Sequence, residues 1–160
     1  MDTARITEIL TDSVTADLVE RQPITQIAYS ATDGSPRAVP VGYLLREGTF
    51  LFYTVPTSDK VAALRRDPRI ALTVDTFPPP CCLLVRGTAE LREEDGVPDE
   101  YLEASFRTMP QEQHAGFEQQ VRSLYDSMVR VIVTPTWVRL NDFERTAPRA
   151  VERLIQAKQG

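Results

Sequence analysis

Five segments with a strand pattern follow one another between residues 24 and 91, and only one of the four connections is long enough to hold a helix. Asp33-Gly34 and Glu47-Gly48 close the first two connections, and such dipeptides are typical of tight hairpin turns. Strands joined by short turns pair antiparallel with their neighbours in sequence. The segments are 24–32, 37–45, 49–55, 69–77 and 81–91. The pattern predicts a mainly β fold built on an antiparallel meander.

Helical patterns surround this meander. The apolar spacing of 6–22 indicates a helix or a pair of helical turns, and 97–126 and 147–158 also have helical spacing. Residues 128–145 return to a strand pattern that Pro135 is expected to interrupt. A barrel or a sandwich would protect the edges of such a sheet. We expect a β-barrel with helices packed on its outside.

Composition limits the class of protein. A chain of 160 residues predicts a single domain, 1–160, and a net charge of −5 argues against a nucleic-acid or acidic-membrane partner. No apolar run approaches the roughly 20 residues of a membrane span. The first ten residues lack the apolar core of a secretory signal, which predicts a cytoplasmic protein.

The start of the helix between the third and fourth strands carries an unusual charge. Ser58 is a good N-cap, and Lys60 follows at the second helical position, where the helix dipole disfavours a cation by up to about 1 kcal/mol. An anion bound at the helix start would make this position of Lys60 favourable. Backbone N–H groups, Lys60 and the hydroxyls of Thr54, Thr57 and Ser58 together predict a phosphate site. Alternatively, Lys60 points into solvent and Asp59 screens its charge.

One long stretch resembles a known family. "YTVPTSDKVAALRRDPRIALTVD", preceded by "DGSPRAVPVGYLL" and followed by "LVRGTAEL", is similar to the pyridoxamine 5′-phosphate oxidase-like superfamily. The resemblance covers most of residues 24–92, and 129–144 fits the last strands of that family. It implies the FMN-binding split β-barrel, with about six to seven mostly antiparallel strands and peripheral helices.

The resemblance also implies a cofactor site. In this family the lysine at the helix start, here Lys60, holds the cofactor phosphate, and the serine two residues before it, here Ser58, makes a further phosphate contact. Thr54, at the end of the preceding strand, lines the same pocket. The positions that match contacts to the flavin ring are Arg37, Pro40 and Val41.

Departures from the family pattern bear on which cofactor is bound. Asp59-Lys60 stands where FMN oxidases of this group have Arg-Lys, and no Arg-x-His is present near the C-terminus. The run "LRRDPR" resembles flavin and deazaflavin oxidoreductases, many of which bind coenzyme F-420. We therefore expect F-420 first and FMN second. Arg65 and its basic neighbours could meet the acidic tail of F-420, or they could form a solvated helix end.

These features predict an oxidoreductase that moves a hydride to or from a small organic substrate. No catalytic side chain is identified, since the cofactor ring would supply the redox chemistry. His114 has no ligand partner at metal-site spacing, so no metal site is predicted and His114 is expected on the surface. Cys81 and Cys82 are adjacent and are expected to point to opposite faces of a strand, and the acidic run 93–95 is expected to form a turn. The five tyrosines, Tyr29 among them, include possible proton donors that the sequence does not rank. The family resemblance implies a homodimer. The alternative is a protein of the same fold that binds a flavin, haem or tetrapyrrole without turnover, for storage or sensing.

Overall fold

The structure, a computed structural model, describes residues 1–144 and 147–159, with the backbone alone at residue 149. These residues form six helices, one 3₁₀ turn (Gln111–Gln113) and seven strands. The helices are α1 Thr3–Leu10, α2 Ser13–Arg21, α3 Asp59–Arg66, α4 Asp99–Phe106, α5 His114–Leu124 and α6 Arg149–Gln159. The strands are β1 Ile24–Ser30, β2 Pro36–Gly42, β3 Leu44–Arg46, β4 Thr49–Thr54, β5 Arg69–Thr76, β6 Cys81–Asp95 and β7 Ser127–Asp142. None of these helices is long and apolar enough to cross a membrane.

The seven strands form one antiparallel sheet in the order β2-β1-β5-β6-β7-β4-β3. β2 and β3 follow each other in the chain yet lie at opposite ends of this order, so the sheet curls towards closure without closing. This confirms the predicted split β-barrel. The prediction of a single strand over 37–45 is wrong, because this segment forms two strands, β2 and β3. The chain changes its pairing partner from β1 to β4 at Tyr43, whose ring is fully buried at the bend.

The longest pairing in the sheet joins β6 to β7. The predicted interruption of the last strand at Pro135 is wrong, because β7 continues through this residue. The register shifts between Arg86 and Gly87, and Gly87 is opposite Pro135. Proline donates no ladder hydrogen bond and is tolerated at such bulges. The bulge therefore lets one long strand pass a residue that would otherwise break it.

A second correction concerns the acidic run at 93–95. The sequence predicts a turn there, but these residues extend β6, with Glu93 opposite Val129 and Asp95 opposite Ser127. The turn comes one residue later at Gly96, whose φ of +69° suits glycine. Pairing with β7 outweighs the low strand propensity of acidic residues, which remain outside the hydrophobic core.

The barrel interior is the main hydrophobic core. Strand alternation turns every second residue inward, and α3 closes one end by burying Val61 and Leu64 in the same cluster. Phe50 and Phe52 of β4 are both fully buried, and each contributes about 1.5–3 kcal/mol relative to exposure. β4, the strand that leads to α3, therefore contributes side chains directly to the core.

The N-terminal segment forms two helices, which matches the predicted pair of helical turns. Asp2 and Asp12 are their N-caps, and each carboxylate accepts a backbone N–H of its own helix. Leu10 and Leu18 are buried in the barrel core cluster. The apolar spacing alone would allow one helix over this segment, but the N-cap at Asp12 begins a second helix.

The segment containing α4 and α5 packs on the other face of β4 and β7. Its cluster joins Val97, Leu102, Val121 and Met128 with a set of half-buried aromatic rings. Arg107, just after α4, donates to the carbonyl oxygens of Tyr43, at 3.0 Å, and Val19, at 2.6 Å. The insertion is thus tied to α2 and to the bend between β2 and β3.

Candidate functional site

The predicted phosphate site is at the start of α3. The helix begins at Asp59, and Ser58 is its N-cap with extended backbone angles, as the sequence predicts. The carbonyl oxygen of Ser58 accepts the N–H of Val61 at 2.9 Å. The Ser58 hydroxyl makes no capping hydrogen bond, so it remains available to an outside acceptor.

Lys60 supplies an unneutralised cation at this helix start. Its side chain is half-buried, and it forms no ion pair with any residue that the structure describes. The N–H groups in the first turn of a helix have no intrahelical acceptor, and the dipole is positive at this end. The ammonium and these donors together can bind an oxyanion.

Two threonines flank the connection from β4 to α3. Thr54 ends β4, is 8% exposed and faces the barrel interior with Phe50 and Phe52. Its hydroxyl makes no hydrogen bond to a described residue. Thr57 is exposed, one residue before the N-cap. Both predicted threonines therefore lie close to Ser58 along the chain, one inside the barrel and one outside.

Tyr29 lies on β1, one of the strands that α3 contacts. It stands opposite Arg37 in the antiparallel register, so both side chains are on the same face. Burial raises the pKa of the Tyr29 hydroxyl, Arg37 lowers it and Asp59 raises it. Tyr29 is a residue that the sequence offered only as one of five tyrosines.

Pro40 and Val41 lie on opposite faces of β2. Val41 is opposite Thr25, is half-buried and packs against the core, whereas Pro40 is opposite Gln26 and exposed. β2 is an edge strand, as Pro40 predicts. The two side chains therefore cannot line one pocket. Both residues could contact one ligand ring only through their backbone groups.

Arg65 lies in the last turn of α3 and is exposed. It is five residues beyond Lys60, about 7.5 Å along the helix axis. The structure does not bring it to the helix start. Its contact with the acidic tail of a cofactor stays a prediction.

A cavity of about 580 Å³ lies across β1, β5 and β6 near the turn that joins β1 to β2. Arg37 lines it together with Arg69 and Arg86, while Lys60 and Ser58 are not among its lining residues. Sequence reasoning missed Arg86. Alternation places Arg86 on the outer face of its strand, but only the register shows that it stands opposite Ala71 of β5.

The histidine and the cysteines take no part in this site. The ring of His114 stacks on Phe106 at 4.1 Å, and its Nε2 is 3.3 Å from the carbonyl oxygen of Met109, so it is half-buried rather than on the surface as predicted. Cys81 is buried and Cys82 is half-buried, in agreement with the predicted opposite faces. Burial raises the pKa of the Cys81 thiol. No metal-binding group of three or more His, Cys, Asp or Glu side chains occurs among the described residues.

Comparison with known families decides the classification. The sequence model described as pyridoxamine 5′-phosphate oxidase matches residues 11–141. The chain belongs to this family. The pyridoxamine 5′-phosphate oxidase family includes oxidoreductases. The matched range contains every residue that the sequence predicts to contact a cofactor.

Several solved structures share the fold of this chain. A conserved hypothetical protein of Mycobacterium tuberculosis, Rv2991, is 23% identical with a TM-score of 0.61, over 93% of this chain and 90% of its own. An F420 reductase is 23% identical with a TM-score of 0.59, over 77% of this chain and 94% of its own. A haem-binding protein of Mycobacterium smegmatis is 19% identical with a TM-score of 0.53, over 78% of this chain and 51% of its own. No curated protein matches significantly. At these identities the neighbours establish the fold alone.

Proposed function

We propose that this protein is an oxidoreductase that uses a flavin-type cofactor, coenzyme F-420 first and FMN second, to transfer a hydride to or from a small organic substrate. One observation carries the proposal. The start of α3 presents the half-buried Lys60, which has no ion pair with a described residue, and the Ser58 hydroxyl, which makes no capping bond. An uncompensated cation beside free N–H donors matches a phosphate group.

The roles of the remaining residues follow from their positions. Lys60, Ser58 and Thr57 would hold the phosphate, and Thr54 would offer its hydroxyl from the end of β4. The edge backbone of β2 would run along the ring system, with Arg37 near the ring and Pro40 and Val41 contributing main-chain groups. The bound cofactor supplies the hydride chemistry, and the protein orients it and shapes the substrate space. We assign no catalytic side chain.

Asp59 supports the choice of F-420 over FMN. Its carboxylate occupies the first position of α3, beside the proposed phosphate. FMN ends in a phosphate monoester, which carries about −1.5 to −2 charges at neutral pH, whereas the phosphodiester of F-420 carries a single charge. Like-charge repulsion with Asp59 therefore disfavours FMN more strongly. Arg65 would meet the acidic tail of F-420 from the far end of the helix.

A homodimer is part of this proposal. Val151, Leu154 and Ile155 lie on one face of α6 and are 42%, 62% and 45% exposed. Residues spaced three and four apart form a continuous stripe on a helix. This apolar stripe supports a second copy of the chain as its partner.

Haem or tetrapyrrole binding is the alternative function. The single histidine, His114, stacks against Phe106 and approaches the backbone carbonyl oxygen of Met109, within the segment of α4 and α5 rather than at the start of α3. This disfavours His114 as an axial ligand of haem iron.

A side-by-side titration of the purified protein with F-420, FMN and haem tests the proposal. We expect F-420 to bind most tightly and Lys60→Ala to weaken it at least about tenfold, since a charge-assisted contact is lost. Lys158→Ala removes the other lysine of the chain, in α6, and should not change affinity. Thermal unfolding should shift little in Lys60→Ala. Equal F-420 affinity in the wild type and Lys60→Ala would refute the site, and haem binding without hydride transfer would favour the alternative.

A further inference from the structure

The cavity of about 580 Å³ across β1, β5 and β6 has the properties of a ligand site. We infer that it binds a small, flat organic carboxylate. Binding itself does not depend on the cofactor, whereas the further statement that this anion is the substrate rests on the proposed function. The cavity volume lies within the roughly 300–1,000 Å³ of small-molecule sites.

The charge of the cavity is the first argument. Arg37, Arg69 and Arg86 line it, and no Asp or Glu is among its described lining residues. The whole chain is acidic, with a net charge of −5, so a cavity with three cations and no carboxylate departs from its average surface. A concave positive surface attracts anions.

Two of the three arginines are partly neutralised from outside the cavity. Arg69 donates from Nε and Nη2 to the carboxylate oxygens of Asp67, at 2.9 and 2.7 Å. The guanidinium of Arg37 is 4.0 Å from Asp33. Each of these cations therefore retains donors for a ligand while its position is held by an aspartate.

Arg86 is the cation that lacks a carboxylate partner among the described residues. Its guanidinium lies over the ring of Trp137, 4.0 Å from the ring centre. The contact holds the guanidinium by cation–π attraction without cancelling its charge. A planar guanidinium presents paired N–H donors that match the two oxygens of a carboxylate. Arg86 is thus the residue to which the anionic group binds.

Small side chains create the depth of the cavity. Ala28 of β1 is opposite Ala71 of β5, and Ala71 is opposite Arg86 of β6. Two alanines in one row leave a flat apolar floor that ends at Arg86. A flat hydrocarbon body would cover this floor while its carboxylate meets Arg86, and a bare phosphate ion would leave the floor uncovered.

The cavity adjoins the proposed cofactor site. Tyr29 of β1 and Arg37 of β2 line the cavity, and α3, which begins at the proposed phosphate site, packs against β1. A carboxylate on Arg86 would therefore extend its apolar body over β1 towards the residues proposed to flank the cofactor ring. This placement makes the anion a substrate candidate rather than an isolated surface ligand.

Binding of benzoate to the purified protein tests the inference, with benzamide and inorganic phosphate as matched probes. Calorimetry gives the affinities, and the indole N–H resonance of Trp137, the single tryptophan, reports the place of binding. We expect benzoate to bind, to shift the Trp137 resonance and to exceed both other probes at least about tenfold in affinity.

Arg86→Ala should weaken benzoate about tenfold to a hundredfold. Arg92→Ala is the control, because Arg92 lies on the same strand, pairs with Glu90 at 2.7 Å and does not line the cavity. The inference would be overturned if benzamide or phosphate bound as tightly as benzoate. It would also be overturned if Arg86→Ala left the affinity for benzoate unchanged, or if benzoate did not shift the Trp137 resonance. Dissociation of a dimer in Arg86→Ala would also overturn it, by assigning this face to a second copy. Benzoate binding should survive Lys60→Ala, which separates this site from the proposed phosphate site.

Discussion

The hydroxyl of Tyr53 donates a 2.8 Å hydrogen bond to Oε2 of Glu100, and this bond joins β4 to α4. The same carboxylate oxygen is 2.9 Å from Nη2 of Arg130 on β7. Burial raises the pKa of Tyr53 above its ordinary value, and the Glu100 bond raises it further. The strand that leads to the proposed phosphate site is thus fixed on its outer side by a polar network.

Tyr53→Phe should destabilise the protein by about 1–2 kcal/mol, because a bond to a charged acceptor is lost while the ring remains. Urea unfolding at pH 8 measures the change. The folded pKa of Tyr53 is raised above the ordinary 10.0, so its contribution is present below pH 10 and is lost as pH rises further. The difference between wild type and variant should therefore shrink above pH 10, and a difference that stays constant there would contradict the assignment.

Tyr43→Phe should have the opposite effect. The Tyr43 hydroxyl is buried and has no hydrogen-bond partner among the described residues. Removing an unsatisfied buried hydroxyl should leave stability unchanged or raise it by up to about 1 kcal/mol. The same urea experiment checks this, and a loss comparable to that of Tyr53→Phe would show that the hydroxyl has a partner.

Gly87→Ala should destabilise the protein by about 1–3 kcal/mol. A Cβ on Gly87 would lie 2.5 Å from the backbone oxygen of Thr134, and a backbone atom cannot move aside cheaply. Gly116→Ala in α5 is the matched control, since its Cβ would meet nothing within 4 Å. Alanine there should stabilise the helix by about 0.5–1 kcal/mol. Thermal unfolding of both variants checks the pair, and similar shifts would argue against the tight β6–β7 contact.

Arg69→Ala should raise the pKa of the Asp67 carboxyl. Side-chain hydrogen bonds from Arg69 and its backbone N–H lower that pKa from 3.8 to about 2. The backbone bond of 3.1 Å remains in the variant, so the pKa should rise but stay below 3.8. Carbon-detected NMR titration of the Asp67 carboxyl measures it. The stabilising contribution of Asp67 is present above pH 3.8 and is lost as pH falls towards 2. An unchanged pKa of Asp67 in Arg69→Ala would contradict the pairing of these two residues.

Much of the fold could be read from local sequence signals. The turn at Asp33-Gly34 forms as predicted, with Gly34 at a φ of +82°. The helix cap at Ser58 is also where its residue type predicts it. The errors, at Tyr43, Pro135 and the acidic run at 93–95, all concern strands whose course depends on a distant partner. A local pattern cannot reveal whether β7 will pair with an acidic extension of β6.

The sequence by itself determined the elements near the proposed phosphate site, because a cap and a helix start depend on a few adjacent residues. It placed Ser58 and Lys60 together without reference to the rest of the chain. Only the tertiary structure brought Arg86 opposite Ala71 and in line with Ala28. These neighbours come from different strands, and the curvature and register of the barrel, which are set by packing of the whole core, decide which of them meet.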